Sequence, residues 1–586
     1  MPTSLAQRPF PHHIGEPGRK TGSADRFFAR IFSCNYKAYL VHSSCFVGGD
    51  GRRQENEEMI RTAKREDTKS FGVLPTMLLL FVCAARADAG TYSGGSGEPN
   101  DPYRIATAED LNDIGNHVED FNKCFVLTAD ISLAGYPGRQ FSIIGSVTNP
   151  FTGVFDGNDH CIAAFKYSPS GKDCIGVFGC VDGANAEIRD LGITNVLVVY
   201  GEGSYYVGTL VGLLQGGTVS NCYVEGGSVY TERRTSGTSA GGLVGRNEGL
   251  IANCHAQTML QSLQESWVLG GLAGSNDGTI INSYSSTSPR GYGEVGGLVG
   301  VNSGTISNCF STGSPDGFCC IGGLVGTNRG IIASCYWSGH VWGELIVGGI
   351  VGDNYGGTVR ECWSQGVVSL VYIMWPGECY DGGGLVGGNS GSIINSYSAC
   401  SVEGDNNSGG LVGYNYGSVQ FCYSVGSVTG DANTGGLVGY NSDLGDGGNI
   451  LASFWDRETS GRDNMCGYSD GSGCCDANGL TTIEMQTENT FTDAGWDFVG
   501  ETVNGPNDIW TIHETVNYPK LVWPLVNLVG WYEVDGLDFA YFASRWGDEN
   551  CGAANDCDGV DIDFSGAVNG RDLKIFCDHW LDGVSQ

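Results

Sequence analysis

The feature that most restricts how this chain can fold is a stretch that keeps returning with the same internal spacing: Gly296-Gly297-Leu298-Val299-Gly300-Val301-Asn302-Ser303-Gly304-Thr305-Ile306-Ser307-Asn308-Cys309-Phe310. The last glycine of its Gly-Gly-aliphatic-aliphatic-Gly core recurs at Gly212, Gly245, Gly274, Gly300, Gly326, Gly352, Gly387, Gly413 and Gly439, at intervals of 33, 29, 26, 26, 26, 35, 26 and 26 residues. A fixed period means one small unit used many times, and insertions that leave the next unit intact must leave from loops. The segments around Thr231–Gly237 and Met374–Cys379 are therefore expected to protrude.

Within a unit, Leu298, Val299, Ile306 and the hydrophobic residue two positions after Asn308 alternate with small or polar residues, which is the period of short strands. Two or three such strands with glycine corners cannot bury an apolar face alone, whereas stacked copies share a continuous interior. The expected fold is all-β, a parallel β-solenoid (β-helix) of about 26-residue coils, followed by a small α-helical calcium-loop module. Helical repeats compete poorly, because 95 glycines in 586 residues would weaken helices by about 1 kcal/mol at each interior position.

Two rows follow from the register. Asn247, Asn276, Asn302, Asn328, Asn354, Asn389, Asn415 and Asn441 each fall two residues past the core glycine, where stacked amides can bond from coil to coil. Cys222, Cys254, Cys309, Cys335, Cys362 and Cys422 share another position, taken by Ser283, Ser396 and Phe454 in other units. Exchange of cysteine for serine points to a small buried group, hence packed thiols; a disulfide staircase is the alternative.

The formal charge is −34, and −38 once residues 1–89 are set aside. Such a field repels phosphate backbones, so nucleic acid is excluded as a partner. Residues 1–58 show no sustained period and read as an unstructured extension. From Met59, basic residues precede the apolar run Val73–Ala85 and the small-residue site Ala87-Asp88-Ala89, a secretory signal over 59–89 too short to span a membrane. No transmembrane segment is expected in the mature chain, which is read as secreted or associated with the cell surface.

Residues 90–206 read as an N-terminal cap and first irregular coils. Thr107 and Asp110 form a near capping box before Leu111, Ile114 and Val118 at helical spacing. Phe125–Leu127 and Phe141–Ile144 read as strands, and Phe151–His160 and Ile175–Gly179 as degenerate coils. The repeats proper occupy 207–456. In 457–526 the pattern frays into a cysteine-rich loop and a segment with Trp496, Trp510 and Trp523, which reads as a cap over the last coil.

The most explicit chemistry lies in 527–586. Asp561, Asp563, Ser565, Asn569 and Asp572 stand at positions 1, 3, 5, 9 and 12 of a loop with Gly566 at position 6, and Ala567 offers its carbonyl at 7; hard oxygen donors at this spacing suit Ca²⁺. Leu573–Phe576 supplies the start of a following amphipathic helix. An earlier half-copy, Val534–Trp546, has Asn527, Val529 and Trp531 at its positions 1, 3 and 5, with no carboxylate there.

The GGLVGxNxGxIxNCY units over Val207–Trp455 resemble GLUG repeats of bacterial surface proteins, and Asn527–Leu581 resembles a type I dockerin. The first resemblance implies an exported, adhesin-like surface protein; some relatives also carry an IgA-peptidase domain, which is not visible here. The second implies a calcium-binding tail that docks a cohesin-like domain in polysaccharide-degrading assemblies. The combined expectation is a non-catalytic binding protein for polysaccharide or a protein partner.

The alternative is a β-helix polysaccharide-degrading enzyme, a lyase or glycoside hydrolase, for which Asp156 and Asp159 are the candidate carboxylates. Phe155-Asp156-Gly157-Asn158-Asp159-His160 reads equally well as a glycine turn of an early coil. His513-Glu514-Thr515-Val516-Asn517 lacks the second histidine of a zinc-protease motif.

Overall fold

The computed structural model describes residues 90–168, 173–201, 204–231, 238–262, 268–370, 380–442, 448–470, 474, 478–526, 528, 534, 536–549, 551 and 556–579. The signal segment 59–89, residues 232–237 and 374–379 of the two insertions, and positions 527, 529 and 531 of the half-copy lie outside these residues.

The chain winds as a parallel β-solenoid. One coil contributes Glu294–Gly296, Val299–Asn302, Thr305–Ser307 and Phe310–Ser311. They enter parallel sheets of 10, 11, 13 and 18 strands respectively. The coil therefore has four sides, more than the two or three strands expected, because the glycine pair bends the chain between the first two. A side chain at Gly296 would strike the Val299 carbonyl, and one at Gly297 the Gly323 carbonyl of the next coil. The 18-stranded sheet is the largest because its side is broken in some coils, as at Tyr284–Ser285 and Arg290–Gly291, and continuous in others, as at Tyr336–Gly343.

From Asp190 to Ala452 each coil turns one corner on a single left-handed residue, Asn308 at φ 52° and likewise Asn221, Asn253, Asn282 and Asn395. Asparagine tolerates that conformation better than other residues bearing a Cβ. The same corner is kept at Ser334, Glu361, Phe421 and Ala452, where the stacked neighbours impose it.

Leu298, Val299 and Ile306 are fully buried in one apolar column that runs from Ile105 to Cys466. Cysteine, not the aromatic residue after it, is the inward group at the corner: Cys309 belongs to the column, whereas Phe310 does not. The serine equivalent after Cys422 is Ser453, since the Cys422 amide donates to Ser453 Oγ at 3.2 Å. Phe454 instead pairs with Tyr423, one residue out of the expected register.

At the N-terminal end the helix Ala108–Ile114 starts on a full Thr107/Asp110 capping box and buries Leu111 and Ile114. Cys124–Leu127 is a strand paired with Tyr103–Ile105. Phe141–Ile144 is not a strand; only Ile144 makes a bridge, to Phe178, because its neighbours Phe141 and Ile143 are also drawn into the column. Phe178–Val181 forms a regular rung against Val211–Leu214. At the other end Cys466–Ser469, expected as loop, is a further rung paired with Val438–Asn441. Cys466 is bonded to Cys474.

The tryptophan-rich segment covers the flank as well as the end. Trp496 and Trp510 form a second core with Tyr423, Phe454, Phe491 and Leu521, against Trp363, Tyr397 and Phe421 of the coils. Trp496 Nε1 donates to the Ala452 carbonyl and Trp523 Nε1 to the Glu361 carbonyl, both at 2.9 Å. These are carbonyls of left-handed corner residues.

Candidate functional site

Asp561 and Asp563 precede the helix Gly570–Asp578, and Asp572 lies in its first turn. Phe542 and Phe576 stack at 5.2 Å between this helix and Gly536–Ser544. Val560, Ile562, Val568 and Ile575 complete the small core that fixes the loop. Carboxylate oxygens of Asp561, Asp563 and Asp572 all lie within 4.8 Å of one another, with Asp561 and Asp572 buried. Asp572 Oδ1 accepts from the amides of Ile562 at 2.7 Å and Asp563 at 3.1 Å. Asp561 accepts from the amides of Ser565 and Gly566.

Burial pushes Asp561 up, and the Asp563 charge adds to it. Burial likewise drives Asp572 to about 6, with Asp563 and Asp561 adding repulsion against the pull of the Asn569 and Asp563 amides. Three hard oxygen ligands held this close, two of them desolvated, fit a cation such as Ca²⁺.

The remaining predicted donors gather beside the triad. Ser565 Oγ donates to the Ala567 carbonyl at 3.3 Å, and Asn569 Nδ2 to the same carbonyl at 2.8 Å. Asn569 Oδ1 caps the helix by accepting from the Arg571 amide at 3.0 Å. That cap occupies the oxygen assigned from spacing to the ninth loop position. The module is tied to the capping segment by Lys574 Nζ, 2.6 Å from Asp508 Oδ2.

The repeated rows serve the scaffold. The eight asparagines are buried, and Asn302 Nδ2 donates to Asn328 Oδ1 at 2.8 Å, Asn328 to Asn354 at 2.8 Å and so on up the stack. At the cysteine position, Cys309 Sγ lies 3.1 Å from the Ser307 carbonyl, and Ser283 Oγ 2.7 Å from that of Ile281. In turn the Cys254 amide donates to Ser283 Oγ at 3.1 Å. Either side chain can close the corner and accept from the preceding coil, which explains the exchange. The six cysteines are unbridged. Burial pushes the thiols of Cys222, Cys335 and Cys362 well up and that of Cys422 to about 12, so at neutral pH they are protonated and poor nucleophiles.

A third row is made of rings. Tyr223, His255, Tyr284, Phe310, Tyr336 and Trp363 stack with ring planes within 5° and centroids 4.6–5.2 Å apart. The signal was an aromatic or imidazole residue after each corner cysteine or serine. Because the ring faces cover one another, the row is not a platform on which a ligand could lie.

Asp156 and Asp159, the two candidate carboxylates, stand in different surroundings. Asp156 Oδ2 is 2.7 Å from Arg189 Nη2, and Asp156 Oδ1 accepts from the Asn158 amide. Asp159 is an exposed turn residue at φ 62°.

No family model matches the chain. It is 32% identical over 165 residues to a protein named as a Gly-rich membrane protein from Evansella cellulosilytica, a match covering 26% of this chain and 19% of that protein. It is 31% identical over 166 residues to Halomucin of Haloquadratum walsbyi, covering 26% of this chain and 2% of that one. The chain thus spans less than a fifth of the length of the curated relatives it matches. A crystal structure named as an immunoglobulin A1 protease from Bacteroides ovatus superposes with a TM-score of 0.35 at 22% identity, over 53% of this chain and 86% of that one. Among the described residues no helix is long and apolar enough to cross a membrane.

Proposed function

We propose that the protein is an exported, non-catalytic binding protein of the cell surface or extracellular medium: a β-solenoid that engages polysaccharide or a protein partner, with a dockerin-like tail that binds one Ca²⁺. The observation that carries this reading is the convergence of Asp561, Asp563 and Asp572 on a loop held against a scaffold whose repeated side chains serve its own packing. Asp561, Asp563 and Asp572 would hold the ion, with Ser565 and the Ala567 carbonyl closing the site and Asn569 acting through its cap. The ion would neutralise three carboxylates and lock the loop to its helix. The stacked helix pair behind the loop supports a role in docking a cohesin-like domain, as does the acidic surface of the mature chain in a calcium-rich exterior. The names of the two relatives, a membrane protein and Halomucin, agree with a surface location.

Calcium titration by calorimetry tests the tail: one site is expected, abolished by Asp561→Ala with Asp572→Ala, and unchanged heat would overturn the assignment. A glycan and cohesin binding screen tests the partner. Depolymerisation of any glycan, lost on changing Asp156 or Asp159, would replace the binding role with an enzymatic one.

A further inference from the structure

The uniform rows hold the coils together; one outward row of the 18-stranded sheet is different in kind. Strand register aligns Gln261, Arg290, Asp316, Trp342, Ser369, Glu403 and Thr429, one residue from each of seven successive coils. No residue type repeats along it. Two adjoining depressions follow this row, of about 510 Å³ and about 700 Å³, and both are lined by Trp342. Six steps of about 4.8 Å between stacked strands give the row a length on the order of 29 Å.

Its chemistry narrows the occupant. His340 stacks on Trp342 with centroids 3.6 Å apart, and its Nε2 lies 2.9 Å from Ser369 Oγ. The indole is thereby fixed where the depressions meet. Around it the lining carries five carboxylates, Asp316, Glu344, Glu403, Asp405 and Asp431, against one guanidinium, Arg290. Arg290 is 2.6 Å from Asp316, so little positive charge is left over. Burial pushes His340 down, leaving it neutral at pH 7. Polyanionic chains are repelled by such a lining. Hydroxyl-rich uncharged chains are suited to it, since carboxylates and serine oxygens accept from hydroxyls and a ring offers an apolar face.

We infer that this trough is the polysaccharide-binding surface of the protein and takes a single uncharged glycan chain along the solenoid axis, with Trp342 as its central contact. This rests on the binding role proposed above and specifies both its place and its ligand class.

Affinity electrophoresis of the full mature chain in gels containing galactomannan, xyloglucan or mixed-linkage β-glucan, with polygalacturonate and alginate in parallel, tests it. Retardation is expected in at least one neutral gel and in neither acidic gel. Trp342→Ala should weaken that retardation about tenfold, equivalent to 1.4 kcal/mol, while Trp342→Phe keeps most of it and EDTA leaves it unchanged. Glu403→Gln serves as a second variant should Trp342→Ala fail to melt like the parent, and is expected to weaken binding severalfold. Neutral-glycan binding untouched by either variant would overturn the trough and leave the binding role standing. Binding only to acidic glycans would overturn the trough and its ligand class. Absence of binding to all five would overturn both the trough and the polysaccharide branch of the proposed function.

Discussion

The amide stack offers the sharpest test of how the coils are held. Asn328 is fully buried. Its Oδ1 accepts from Asn302 Nδ2 at 2.8 Å and from the Gly330 amide at 3.2 Å, and its Nδ2 donates to Asn354 Oδ1 at 2.8 Å. Its Nδ2 also donates to the carbonyls of Gly330 at 3.3 Å and Thr358 at 3.4 Å, and replacement by alanine removes all five bonds at once. Asn302 Nδ2 keeps the carbonyls of Gly304 and Ile331, each at 3.3 Å. The Gly330 amide and Asn354 Oδ1 lose the partners described here. Two stranded polar groups at about 1–3 kcal/mol each give Asn328→Ala a cost of about 2–6 kcal/mol.

Asn328→Asp separates the direction of the bonds from their number. It keeps the acceptor facing Asn302 but turns a second carboxylate oxygen toward Asn354 Oδ1, two acceptors in a dry site. Its folded pKa is therefore raised above the unfolded value of about 3.9. Its stability is greatest below that value, where the protonated oxygen can donate upward, and is lost as pH rises through the folded pKa. Guanidinium unfolding at pH 4 and pH 8, each referred to the parent at the same pH, should show a larger deficit at pH 8. Hydrogen exchange should localise the loss to Val325–Asn328 and Val351–Asn354, since each coil touches mainly its neighbours. A cost below about 0.5 kcal/mol for the alanine variant, within the range of an ordinary surface substitution, or an aspartate variant indifferent to pH, would refute the reasoning.

Three further outcomes follow. Asp381, 8% exposed beside Asn407 and Asp353, has its carboxyl pushed by burial from 3.8 to about 7, so its contribution to stability is full below about pH 4 and is lost between about 4 and 7. Asp381→Asn should raise stability at pH 8 by up to about 4 kcal/mol and leave it unchanged near pH 3.5, as read by thermal melts. The six corner thiols should resist iodoacetamide in the native protein while the exposed Cys577 is labelled, and all should react after unfolding; native labelling of Cys335 would refute their packing. Chelation with EDTA should lower the unfolding temperature of the tail, by the equivalent of about 2.7 kcal/mol if the ion had been held at a hundred times its Kd, and Asp561→Ala should make that temperature insensitive to EDTA.

The period of the core glycine and the Asn two residues beyond it were enough, from sequence, to set the solenoid, its coil length and its buried amide stack. Those positions are fixed by local chemistry repeated many times, so a pattern on the page becomes a pattern in space. The convergence of Asp561, Asp563 and Asp572 could be expected from spacing for the same reason, because the three are close in the chain. What the sequence could not settle depends on which coil lies beside which. Cys309 and Phe310 are adjacent and both apolar, and only the left-handed corner at Asn308 decides that the thiol enters the column while the ring stacks outside. The wrap of Trp496, Trp510 and Trp523 onto corners up to 162 residues earlier is set by tertiary packing alone. So is the row from Gln261 to Thr429: its members are unlike, separated by whole coils, and share no motif until the register of stacked strands brings them into one line.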